Sequence, residues 1–210
     1  MIVAVDGPTA SGKGTIAAAL AAYFGLPHLD TGLLYRAVGR QVYLDGGNPD
    51  EPDDALAATR FPESLLDDPQ LRNEECGGLA SRVSIHPAVR KALFERQRAF
   101  ATESGGAVLD GRDIGTVIAP DADVKLFITA SVDARAQRRY REMQQRGIAT
   151  TLAEIAEDLR RRDERDSSRD TAPLTIAGDA IVIDTSKLDR AQAIDNAIKA
   201  VNRKIGGQLK

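Results

Sequence analysis

One stretch near the amino terminus constrains this chain more than any other: Gly7-Pro8-Thr9-Ala10-Ser11-Gly12-Lys13. Ahead of it stands Ile2-Val3-Ala4-Val5, a short apolar run that reads as a buried strand. Behind it, Thr15 to Phe24 has helical composition and stops at Gly25-Leu26-Pro27. Strand, glycine-rich loop and helix together are the context of a phosphate-binding loop. Such a loop turns its backbone N–H groups inward, its glycines permit positive φ and close approach, and the helix adds its positive end. Lys13 is then placed to reach the β- and γ-phosphates of a nucleotide. The simplest version of the pattern has Ser or Thr directly after the lysine. Here Gly14 follows and the hydroxyl comes at Thr15, which is assigned to phosphate or to the Mg2+ shell. The competing reading is a glycine-rich turn that binds nothing, which leaves the complete motif and its flanks without a reason.

The rest of the chain alternates in the same way. Asp30 or Thr31 can cap a helix running through Leu34, Val38 and Val42 to Gly46-Gly47. Residues 46–75 are rich in Pro, Gly and Asp and read as loops with short elements, the natural place for an insertion. Pro87 fits the first turn of a helix through Phe100. Ala107 to Leu109 is a second strand, ending at Asp110-Gly111-Arg112-Asp113, and Val124 to Ile128 is a third. Val132 to Arg146 is a helix closed by Gly147, and Thr151 caps another with Leu152, Ala156 and Leu159 on one face. Ala180 to Ile183 is the fourth strand, a helix follows from about Asp189 to Arg203, and Gly206-Gly207-Gln208 is expected to fray. Strands alternating with helices predict an α/β fold with a parallel sheet.

Composition narrows the function classes. The single cysteine, Cys76, excludes an internal disulfide and a zinc finger, and fits a reducing compartment. A formal net charge of -3, no Trp and 4% aromatic residues remove the simplest case for nucleic-acid or anionic-membrane binding. Gly14 to Leu29 carries no charged residue but is interrupted by Gly25 and Pro27 and is shorter than the ~20 apolar residues of a membrane span. A cytoplasmic protein is expected. Charge is nevertheless patterned: ten arginines lie between Arg135 and Arg169 against seven acids, and no lysine occurs between Lys125 and Lys187. Arginine offers a planar fork for phosphate that lysine lacks. On charge alone, a solvated helix laced with pairs such as Arg162 and Asp166 is the favoured reading of the run.

The Gly-Lys-Gly-Thr ending of the loop resembles that of the nucleoside monophosphate kinases, and no Asn-Lys-x-Asp of the GTPases is present. Asp30-Thr31-Gly32 with Tyr35-Arg36, and Ala80-Ser81-Arg82-Val83 with Pro87 and Val89-Arg90, resemble the monophosphate-binding segments of bacterial cytidylate kinases (CMP/dCMP kinases). Asp110-Gly111-Arg112-Asp113-Ile114-Gly115-Thr116 resembles that family's central motif. Arg162-Asp163-x-Arg165-Asp166, then Arg169 and Ala172-Pro173-Leu174, resembles its lid. The resemblance implies a three-layer P-loop fold in one kinase domain: a core (about 1–35, 90–145 and 173–210), an NMP-binding insertion (about 36–90) and an arginine-rich lid (about 146–172). It implies ATP bound by Gly7, Pro8, Thr9, Ala10, Ser11, Gly12, Lys13, Gly14 and Thr15. Arg36, Arg112 and Arg169 then go to the acceptor phosphate, Ser81, Arg90 and Asp113 to the cytosine edge and Asp166 to the ribose, with Thr31 and Asp110 also among the substrate-binding residues. Lys13, Arg162, Arg165 and Arg169 become the catalytic cations.

Spacing alone puts Arg162, Arg165 and Arg169 at i, i+3 and i+7, one face of a helix. Asp110, at the carboxyl edge of a strand, can bind Mg2+ through water, orient Arg112 or cap a helix. A carboxylate such as Asp113 accepts from the exocyclic amine of cytosine and discriminates against uracil. The expected reaction moves the γ-phosphoryl of ATP, with Mg2+, onto CMP or dCMP in a monomer. It needs no strong base, because a phosphate monoester is already ionised at neutral pH with a second pKa of ~6. His28, His86 and Cys76 are accordingly given no role. Alternatives are a kinase for UMP or another acceptor, and a nucleotide-dependent switch.

Overall fold

The computed structural model describes residues 1–208; Leu209 and Lys210, the end of the expected core segment, lie outside them. Five strands, β1 (Ile2–Asp6), β2 (His28–Asp30), β3 (Ala107–Gly111), β4 (Val124–Thr129) and β5 (Ile181–Asp184), form a sheet in the order β2-β3-β1-β4-β5. β1 pairs in parallel with β3 and β4, and β4 with β5. The expected α/β class with a parallel sheet is therefore what the chain adopts, with one strand more than the four anticipated. β2 was missed because three residues, none of them fully buried, carry no periodicity to read.

The strand order reverses about β1, and in open α/β sheets ligands gather beyond the carboxyl ends of the strands at such a point. Asp6 stands opposite Gly111 on β3 and Phe127 on β4. β3 ends level with β1 while β4 runs on to Thr129, and the phosphate loop and the Arg112-Asp113 segment leave from the same edge. Val3, Val5, Val108 and Ile128 of the sheet pack with Ile16 and Leu20 of α1 (Lys13–Phe24) and with Ala197 and Val201 of the terminal helix. Each of these Val, Leu and Ile side chains contributes roughly 1.5–3 kcal/mol by leaving water. That terminal helix extends from Arg190 to Gln208, past the expected stop at Arg203. Ile198, Val201 and Ile205 pack on the core at helical spacing, and this anchorage carries the helix through Gly206 and Gly207 against their low propensity.

The chain divides into two compact units, Met1–His28 with Ala101–Lys210, and Leu29–Phe100. The second unit is helical. α2 (Thr31–Leu44), α3 (Pro52–Ala57), α4 (Glu74–Val83) and α5 (Pro87–Ala101) begin or lie within it, with single 3-10 turns at Ala58–Arg60, Glu63–Asp67 and Pro69–Arg72. The acidic segment 45–75 thus has its own apolar underside: Phe61, Leu65 and Leu71 are buried with Leu34, Val38, Val42 and Leu93. Asn73 caps α4 by accepting from the Cys76 N–H at 2.8 Å.

The first unit also holds α6 (Val132–Gln145) and α7 (Leu152–Ser168), which share a small core of Ala136, Met143, Ile155, Ala156 and Leu159. Thr151 caps α7 in a reciprocal capping box with Glu154. Leu152, expected on the buried face, is 43% exposed at the helix start, and Ile155 takes that place. Among the described residues no helix is long and apolar enough to cross a membrane.

Candidate active site

Steric demands shape the phosphate loop first. Gly7 has φ +153, and a Cβ there would lie 2.1 Å from the Ile128 carbonyl oxygen, so no side chain fits. Gly12, at φ +93, turns the chain into α1. Ala10 sits at φ +62, a conformation that costs a non-glycine residue about 1–2 kcal/mol. It packs against the small core of α6 and α7, which offsets that cost. No side chain caps α1, and its first turn holds no acid, so the helix presents its positive end to whatever the loop holds. Lys13 is half-buried and lowers the pKa of both Asp6 and Asp166. Thr15, one turn in, is exposed.

Two residues outside every quoted motif hold the loop from behind. Thr185, just past β5, donates through Oγ1 to the Ser11 carbonyl at 2.9 Å. Arg135, at the start of α6 and 3% exposed, donates to the Thr9 carbonyl at 3.0 Å. Burial was the signal for both, and burial is not legible in the residue names.

The segment after β3 brings most of the expected ligands together. Arg112 donates through Nε to Asp166 at 2.6 Å and through a terminal nitrogen to the Thr9 hydroxyl at 2.5 Å. One guanidinium therefore joins the central motif, α7 and the phosphate loop. Asp113 starts a π-helical turn, Ile114–Ile118, whose N–H groups at Ile114 and Gly115 donate to the two carboxylate oxygens of Asp6, both at 2.8 Å. Asp6 thus fixes the turn that places Asp113. Asp110 is a strand residue rather than a helix cap. His28 lies on it at 2.7 Å (Nε2 to Oδ1), and its Oδ2 is 3.6 Å from where a Cβ on Gly14 would stand.

The predicted single helical face of arginines needs correction. α7 ends at Ser168, and Arg169 is already extended at φ -65, ψ 140. Leu174 N–H donates to the Asp166 carbonyl at 2.8 Å and Arg169 Nε to the Ala172 carbonyl at 2.7 Å, which turns the chain back on the helix end. Arg169 nevertheless reaches the site: its guanidinium lies 3.9 Å from both Asp113 and Asp166. Arg162 is buried on α7 with Asp158 at 3.7 Å, and Arg165 is half-buried beside it.

Thr31, Arg36, Ser81 and Arg90 belong to the helical unit. Thr31 is buried at the start of α2. Arg36 donates to the carbonyls of Leu71 and Asn73 at 2.7 and 2.8 Å, so part of its fork already holds the segment before α4. Arg90 is buried, lies 5.4 Å from the Tyr35 ring centroid in a cation–π contact and donates weakly to the Ser84 carbonyl at 3.4 Å. The Ser81 carbonyl accepts from Ser84 Oγ at 3.1 Å.

Charge is finely balanced in the first unit. Burial opposes the charged form of Arg112, but Asp166, Asp110 and Asp163 together hold its pKa above the usual arginine value. Burial likewise opposes ionised Asp166, and Arg112, Arg169 and Lys13 outweigh it and keep the carboxyl below its usual range. Arg162 is pulled down by burial, with Arg112 and Arg165 adding like charge. Asp6 is pushed up to about 6, chiefly by burial. Among the described residues no three His, Cys, Asp or Glu converge as a metal cage. The Thr15 hydroxyl and Asp110 Oδ2 by the start of α1 are hard oxygen donors. They fit Mg2+, which takes one or two protein oxygens and completes its shell with phosphates and water.

The family model described as cytidylate kinase matches residues 3–203. The chain belongs to the cytidylate kinase family. The cytidylate kinase of Xanthobacter autotrophicus is 52% identical over 99% of this chain and 100% of its own, and that of Granulibacter bethesdensis 54% identical over 97% and 98%. An uncharacterized protein from Eubacterium ventriosum, known from its crystal structure, has the same fold at a TM-score of 0.58, covering 97% of this chain and 98% of that one at 19% identity. Membership in the cytidylate kinase family makes the chain a phosphotransferase that phosphorylates CMP from ATP. The other acceptors and the nucleotide switch are not favoured.

Proposed function

We propose that the chain moves the γ-phosphoryl group of ATP directly, in line, onto the phosphate of CMP or dCMP, and that the residues singled out by the family's motifs carry the step. The convergence of Arg112, Asp166, Arg169, Asp113 and Thr9 supports this best: guanidiniums and carboxylates from distant parts of the sequence meet at the phosphate loop. The loop amides of residues 7–15 and Lys13 hold the ATP phosphates. Arg36, Arg112 and Arg169 bind the acceptor phosphate, with Thr31. Ser81, Arg90 and Asp113 read cytosine, and Asp166 takes the ribose hydroxyls. Arg162, Arg165 and Arg169 spread over the phosphoryl in flight, where positioning and charge stabilisation carry most of the catalysis. Thr15 and Asp110 would hold Mg2+, which would supply further neutralisation of charge.

Arg112 is paired with Asp166. Binding of CMP would exchange that partner for the acceptor phosphate and release the carboxylate to the sugar. The proposed action is that of a monomer. The unpaired, buried Cys76, its thiol pushed up by burial, fits the reducing cytoplasm.

A coupled ADP-release assay with ATP, Mg2+ and each monophosphate tests the reading. Turnover with CMP and dCMP well above UMP is expected. Asp113→Ala should narrow the preference for CMP over UMP by about tenfold or more, because the acceptor for the exocyclic amine is gone. An unaltered preference in that variant rejects Asp113 as the base reader.

A further inference from the structure

Arg135 and Asp163 have been given no part in the transfer itself, yet Arg135, like Arg112, joins three parts of the first unit. Arg135 Nε donates to the Ala130 carbonyl at 3.0 Å, and one terminal nitrogen donates to the Thr9 carbonyl at 3.0 Å. The two terminal nitrogens also straddle Asp163 at 2.9 and 2.5 Å, a bidentate fork. The end of β4, the phosphate loop and α7 are thus fixed by one planar group that is 3% exposed. Lysine could not reproduce this geometry.

Thr9 is where two ties from α7 converge. Its carbonyl takes Arg135, which is paired with Asp163; its hydroxyl takes Arg112, which is paired with Asp166. Asp163 and Asp166 are three residues apart, so both face the loop from one side of the helix. The ties differ in one respect. Arg112 is assigned to the acceptor phosphate, whereas Arg135, with its Nε and both terminal nitrogens bonded to Ala130, Thr9 and Asp163, is not. Ala10, packed on the core beneath α6 and α7, adds an apolar contact along the same line.

We infer that Arg135 and Asp163 form a positioning pair that locks α7 to the phosphate loop, so that Arg162 and Arg165 stand at the transferring phosphoryl after Arg112 has turned to the substrate. Neither residue touches a nucleotide. The pair acts through the placement of its neighbours, where displacements of about an ångström cost orders of magnitude in rate. The inference rests on the assignment of Arg162 and Arg165 above.

The test is steady-state kinetics of Asp163→Asn, Arg135→Lys and the double variant, with thermal midpoints recorded. Asp163→Asn is isosteric at a side chain that is 26% exposed, so the fold should survive it. Each single variant is expected to lower kcat by about tenfold or more and to leave the KM for CMP within about twofold. The double variant should be no worse than the poorer single, the sign of one shared interaction. A kcat for Asp163→Asn within about threefold of the parent, a loss confined to the KM for CMP, or fully additive losses overturns the inference. If Arg135→Lys does not fold, Asp163→Asn decides alone. A parent chain that failed to turn over ATP with CMP would instead sink the functional reading, so the two failures are separable.

Discussion

Asp6 carries a charge in the least hospitable place, buried at the end of β1 with the N–H groups of Ile114 and Gly115 as its compensation. Burial wins over those two bonds and pushes its pKa from 3.8 to about 6. Between those values the folded chain holds a proton that the unfolded chain has lost. The contribution of this carboxyl to stability is therefore greatest below about pH 4, falls as the pH rises to about 6 and is flat beyond. Asp166 has the opposite sign: its pKa is depressed, so its contribution is present above the ordinary carboxylate value and is lost as acid protonates it. We expect the carboxyl carbon of Asp6 to titrate by NMR with a midpoint near 6, and turnover to fall below it, since the protonated acid can no longer accept from both N–H groups. A midpoint in the ordinary aspartate range rejects this account. Nothing in the sequence pointed to Asp6, although it precedes Gly7 directly. Motif residues such as Gly7 and Arg112 were legible because phosphate chemistry restricts which types can stand there. Asp6, Arg135, Thr185 and His28 matter through burial and partners that exist only once distant strands are side by side.

Helix contacts obey the same logic at the next scale. Gly39 on α2 faces α4 so closely that a Cβ would lie 2.6 Å from Leu79 Cβ and 2.9 Å from its carbonyl carbon. Gly78, on α4 itself, has nothing within 4 Å of its Cβ position. Helix propensity favours alanine over glycine at both sites by about 1 kcal/mol. Only at Gly39 must two backbones part, at a cost of roughly 1–3 kcal/mol. Gly39→Ala should therefore lower the thermal midpoint by several degrees and Gly78→Ala should raise it slightly, at about 2–4 °C per kcal/mol. Calorimetry that found the reverse order would refute the tight α2–α4 contact. Most element boundaries could be read because local chemistry sets them: Gly25 and Gly147 do turn left-handed, and Thr151 does cap α7. Misreadings occurred where tertiary packing overruled local preference. Ile205 holds the last helix beyond its glycines, and the Arg169 and Leu174 bonds end α7 one residue before the arginine that spacing had placed on it.

Across the whole molecule a net charge of -3 conceals buried charges of both signs, which the fold sustains at a cost. Arg162 shows that cost most directly. It is 5% exposed, burial lowers its pKa, Asp158 at 3.7 Å and Asp166 oppose that shift, and Arg112 and Arg165 repel it. A buried charge set among like charges weakens the empty protein and strengthens any complex that brings phosphates. Two consequences are separable in one thermal-shift experiment. ATP with Mg2+ at about a hundred times its dissociation constant should stabilise the parent by about 2.7 kcal/mol, or roughly 5–10 °C for a chain of this size. Arg162→Met fills a similar volume without the charge, so its ligand-free midpoint should stay level or rise, while the nucleotide-induced shift shrinks. A variant that melts several degrees lower without ligand and still responds fully to ATP would mean that Arg162 supports the fold of α7 rather than the phosphates, and the stability given up at this position would have no functional return.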